Sequence, residues 1–107
     1  MITKNDIIFD DDITEGENEN EIAGYLWAQD TLVERSGWKK VLDDDQINFY
    51  PIYNAQTEDF RVEVSCYENG KHKTFDLKLN ADEKNMVKEA FLIYIRLVDD
   101  EWSKKIA

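Results

Sequence analysis

Between Asp59 and Leu79, apolar and polar residues alternate on both sides of Asn69-Gly70. Period-two alternation marks a half-buried strand. Asn-Gly suits a two-residue type I′ turn, in which both central residues take positive φ. Together they predict a hairpin over 59–79 whose register follows from the turn. Phe60, Val62, Val64 and Cys66 then stand opposite Leu79, Leu77, Phe75 and Lys73, giving one apolar face. Arg61, Glu63, Ser65 and Tyr67 stand opposite Lys78, Asp76, Thr74 and His72. A one-residue slip would turn the apolar set to water, which disfavours other registers.

After the hairpin the period changes. Met86, Val87, Ala90, Phe91, Tyr94, Leu97 and Val98 recur at helical spacing, and Asn80-Ala81-Asp82-Glu83 has the form of a capping box. A helix is predicted over about 81–103. Ile22, Tyr25, Leu26, Trp27, Leu32 and Val33 supply a second apolar stripe, predicting a helix over about 20–35 with Gly37 beyond its end. Ile47–Tyr53 is rich in β-formers but contains Pro51, which cannot donate to a ladder, so an edge or bulged strand is expected. Ile7-Ile8-Phe9 reads as a short strand, followed by an acidic stretch at 10–19 expected to be a mobile loop. The expected fold is α+β: one domain over 1–107, with an antiparallel sheet of three or four strands packed by two helices.

With 107 residues, 42% of them hydrophobic, the chain can bury a real core. What sets it apart is charge: 24 acids against 13 Lys and Arg, for a net charge of −11. A surface of that sign repels nucleic acids and anionic membranes and attracts basic proteins. The acids are unevenly spread. Residues 1–21 hold eight acids and one lysine, whereas 59–79 hold four acids and four bases. The clusters are Asp10, Asp11, Asp12, Glu15 and Glu17; Asp43, Asp44 and Asp45; and Asp99, Asp100 and Glu101. No apolar run reaches the roughly 20 residues that span a bilayer. The first residues lack the charged-then-apolar order of a secretory signal, so a cytoplasmic protein is expected.

The residues point away from catalysis. Cys66 is the only cysteine and His72 the only histidine, on opposite faces of the hairpin, where they cannot form a nucleophile–base pair. Asp10, Asp12, Thr14 and Glu21 have some calcium-loop spacing, but Glu15 stands where the loop needs glycine. Adjacent acids in the two triplets project in different directions, so neither forms a metal cage alone. No cofactor or metal is expected.

What remains is binding. Tyr50 and Tyr53 flank Pro51 close in sequence to Asp43–Asp45, and tyrosines are frequent hot spots of protein interfaces. The expected function is that of a small acidic inhibitor. It would mask the basic nucleic-acid-binding surface of a nuclease or similar protein by imitating its phosphates. In kind it is similar to bacterial immunity, anti-restriction and anti-CRISPR proteins, although no motif assigns it to one family. Its site would be the three acidic clusters with Tyr50 and Tyr53, provided the fold brings them together. The competing expectation is an adaptor or homodimer, associating through the Ile47–Tyr53 edge or the stripe of the last helix. A calcium- or magnesium-binding protein is the minor alternative.

Overall fold

The structure, a computed structural model, describes residues 1–10 and 13–106. Five antiparallel strands form one sheet in chain order: β1 (Thr14–Glu15), β2 (Glu21–Ala23), β3 (Gln46–Asn54), β4 (Phe60–Glu68) and β5 (Lys71–Asp76). Helix α1 (Asp30–Ser36) lies between β2 and β3, and α2 (Ala81–Val98) and α3 (Asp100–Lys105) follow β5. The fold is α+β, with more strands than the three or four expected. Among the described residues, no helix is long and apolar enough to cross a membrane.

The β4–β5 hairpin has the expected register. Val64 pairs with Phe75, Cys66 with Lys73 and Tyr67 with His72, and Asn69 and Gly70 both take positive φ. The amide of Leu77 donates to the carbonyl of Val62, carrying that register one step past β5. Phe60, Val62, Val64 and Cys66 are buried. On β3, Phe49, Pro51 and Tyr53 pair with Val64, Val62 and Phe60 and extend the same apolar face. The amphipathic α2 covers it with Val87, Phe91 and Ile95. Leu32 of α1 belongs to this core, and Trp102 and Ile106 pack against it, so α1, α2 and α3 lie on one side of the sheet.

Four expectations are corrected. The first half of the helix predicted over 20–35 is extended chain. Ile22 pairs with Tyr53, and Leu26 bridges both Phe9 and Phe49. Its periodicity is two rather than 3.6, because Ile22, Gly24 and Leu26 are the buried set and Gly24 stands for an apolar residue. A Cβ on Gly24 would lie 2.6 Å from the Phe91 ring, so only glycine lets α2 approach this closely.

β3 is central rather than an edge. It tolerates Pro51 because its hydrogen bonds to β4 come from the alternate residues, while Pro51 faces β2. There its carbonyl accepts from Gly24, one residue beyond the last of β2. The missing N–H interrupts the pairing for one step only, and it resumes at Leu26, whose amide donates to the carbonyl of Phe49.

The last helix is two. Asp99 adopts extended dihedrals, its amide closes α2 on the carbonyl of Ile95, and its side chain accepts from the amide of Trp102 to begin α3. Within the stretch expected to be a loop, Thr14 and Glu15 pair with Ala23 and Ile22 as β1.

Candidate functional site

The helices leave the other face of the sheet bare. Registers place one row of side chains across it. Phe9 bridges Leu26, and Leu26 bridges Phe49, all three on the core side. Their neighbours Asp10, Tyr25 and Tyr50 therefore face out, side by side. Tyr50 pairs with Glu63, and Glu63 with Asp76. The row Asp10–Tyr25–Tyr50–Glu63–Asp76 crosses the sheet, spanning about 19 Å at ordinary strand spacing.

The two tyrosines meet edge to face, with ring centroids 5.5 Å apart. The Tyr25 hydroxyl donates to Asn48 Oδ1 in a short hydrogen bond. Partial burial, then the neighbouring Tyr50 and the Asp10 carboxylate, push the Tyr25 phenol above its usual pKa, so it stays a neutral donor.

Beside this row lies Ala23–Ile52–Arg61. Arg61 gathers the acids on its side. It lies 3.0 Å from Glu21, 3.8 Å from Glu63 and 3.8 Å from Asp76. Glu21 is buried and also accepts from the amide of Asn18. Burial opposes its ionisation, but that hydrogen bond and Arg61 win and hold its carboxyl below the usual range. Glu21 was the last ligand of the calcium spacing, and it is committed to Arg61 instead. Among the described residues, no group of three His, Cys, Asp or Glu side chains could hold a metal ion.

At the β1 end the face becomes concave. A cleft of about 250 Å³ is lined by Glu15, Glu17, Gly16, Ala23, Tyr50, Ile52 and Glu63. Its floor is apolar and aromatic, and its rim is acidic. Neither Glu15 nor Glu17 has an ion-pair partner among the described residues. A larger cleft of about 410 Å³ on the helical side, between Lys4, Ile7 and α2, mixes Lys4 with Asp82 and Glu89 and converges on no single chemistry.

The expected site residues divide accordingly. Asp10 and Tyr50 come together on the bare face, with Glu17 beside its cleft. Glu15 borders that cleft, but opposite Ile22 its side chain leaves β1 on the helical side. Asp11 and Asp12 lie outside the described residues. Tyr53, only 5% exposed, is part of the core between Ile22 and Phe60 and offers nothing to a partner.

Asp45, 6% exposed, is also internal: its carboxylate accepts from the amides of Val41, Leu42 and Asn69, tying the loop before β3 to the β4–β5 turn. Asp43 and Asp44 are exposed beside it. They sit at the opposite end of β3 from Glu15, which is level with Ile22 and Tyr53, about 25 Å of strand away.

Asp99 caps α3, and Asp100 and Glu101 are exposed in its first turn, on the helical side. The three clusters therefore form no single face. Tyr25, Glu63 and Asp76 join the site although the sequence reading omitted them. Glu63 and Asp76 were legible as an outward pair of the hairpin; Tyr25 was hidden by its assignment to a helix.

These features define an α+β protein whose antiparallel sheet is covered on one side and bears an acidic, aromatic row on the other. No protein-family model, curated protein or solved structure matches the chain.

Proposed function

We propose that the chain is a non-catalytic binding protein whose bare sheet face docks on a basic protein surface and withholds that surface from nucleic acid. The observation that supports this is the row Asp10–Tyr25–Tyr50–Glu63–Asp76 with Glu15 and Glu17 at its rim. With Glu21, six carboxylates share this region with one guanidinium, Arg61. Paired tyrosines at the centre of an acidic field combine a hot-spot anchor with steering. A lysine or arginine entering the cleft lays its aliphatic stem on Ala23 and Ile52, its charge between Glu17 and Glu63, and its end near the Tyr50 ring. Carboxylates along the row offer a basic groove the charge pattern it meets on a phosphate backbone.

The test is capture from the host cell with the wild-type chain and with a Glu15→Lys/Glu17→Lys/Tyr50→Ala variant. The expected partner is a basic, nucleic-acid-handling protein. The wild type releases it between about 50 and 500 mM salt, the variant fails to hold it, and the purified chain competes with the partner's nucleic acid. A partner held equally by both chains, or one that binds chain and nucleic acid simultaneously, refutes the proposal.

A further inference from the structure

Strand β5 ends the sheet, with no further strand beside it among the described residues, and all six of its residues are exposed. Leu77 bonds to Val62, and the antiparallel ladder alternates, so residues 71, 73 and 75 also point their backbone groups at β4. The N–H and C=O groups of His72, Thr74 and Asp76 point away from the sheet. Such a row is a template for another strand. Phe75 lies on the core side of β5 yet remains 39% exposed.

We propose that β5 pairs antiparallel with β5 of a second copy, about a two-fold axis at Thr74, joining two sheets into one of ten strands. The register favours this occupant. Two chains of net charge −11 repel each other over most of their surface, and residues 71–78, with Lys71, Lys73 and Lys78 against Asp76, are slightly basic in both copies. What selects a second copy is therefore the self-complementary pairing of this strip and not attraction between its net charges.

The register follows from the same strip. Centred on Thr74, His72 stands opposite Asp76 of the partner copy and Thr74 opposite its own counterpart. These are the outward-bonding residues. On the other face Lys73 stands opposite Phe75 of the partner copy, laying its stem along that exposed ring. Moving the axis to Lys73 would oppose two lysines directly. Moving it to Phe75 would leave His72 opposite Lys78, beyond the strand. Only the Thr74 axis uses 72–76 in full and sets unlike groups face to face.

Sedimentation of the full chain over about 5 to 500 µM is the test, a range suited to an interface at the small end of specific contacts. The wild type should pass from monomer to dimer within it. Thr74→Pro removes an N–H that β4 does not use, so the monomer folds, with an unchanged circular dichroism spectrum, and stays monomeric. His72→Asp puts two acids opposite each other twice per dimer and should weaken association about tenfold. His72→Asp/Asp76→Lys restores an opposite pair and should recover it. A wild type monomeric at the highest concentration overturns the proposal, as does a dimer that survives Thr74→Pro. Glu15→Lys/Glu17→Lys should dimerise normally, so loss of the basic partner and loss of the dimer are read separately.

Discussion

The Arg35 guanidinium grips the Glu83 carboxylate with two parallel hydrogen bonds, 2.6 and 2.8 Å long. Glu83 is 3% exposed, at the start of α2. The same carboxylate accepts from the amides of Asn80 and Ile2, so one side chain joins the chain's start, α1 and the α2 cap. Every lone pair has a use, which is the condition for a buried ion to be stabilising rather than costly.

Arg35, helped by these amides and opposed by burial, lowers the Glu83 pKa from 4.5 to about 2. A depressed carboxylate contributes stability that is complete above its unfolded pKa and is lost as pH falls through the folded one. That contribution should be intact at pH 7 and fade between 4.5 and about 2. Glu83→Gln should cost about 2 kcal/mol at neutral pH and flatten the acid limb of the stability curve. Urea titrations from pH 7 to pH 2 check this; parallel curves for the two proteins would count against the assignment.

Gly24 and Phe91 make a second prediction. A methyl group at Gly24 collides with the ring that seals β2 against α2, and the ring is enclosed by Phe9 and Phe60. Gly24→Ala should destabilise by about 1–3 kcal/mol, the usual cost of overpacking. An unchanged melting temperature would mean that α2 shifts freely, contrary to the close approach described.

Asp45 makes a third. Hydrogen bonds from the Leu42, Val41 and Asn69 amides, with the Lys40 charge, hold its carboxyl below the usual range despite burial. Asp45→Ala should speed hydrogen exchange at those three amides and leave the middle of β4 unchanged. Uniform acceleration would instead mark Asp45 as a global support, and no acceleration would remove its role.

What the sequence made legible was local. The Asn69-Gly70 turn and strict alternation carried the hairpin register, and Asn80 with Glu83 carried the start of α2, since each signal lies within a few residues of its effect. Pattern alone misled where tertiary packing supplied the missing information. Gly24 appears as a gap in a stripe until Phe91 fills it, and Pro51 disqualifies a central strand until the pairing on either side of it, through Ile22–Tyr53 and Leu26–Phe49, is known.

The site was harder for the same reason. Asp10, Tyr25, Tyr50, Glu63 and Asp76 are brought side by side by long-range registers. Nothing near Glu15 distinguishes it from Asp43, which the fold carries to the other end of the sheet.

The most direct measurement is an amide chemical-shift titration of the chain with a short arginine-rich peptide. If the bare sheet face is the docking surface, the shifts concentrate at residues 15–17, 23–25, 50–52 and 63, weaken with salt over about one Debye length of screening, and largely vanish in Glu15→Lys/Glu17→Lys. Shifts spread evenly over every acidic segment, or centred on Asp43, Asp44 and Asp99–Glu101, would contradict the account.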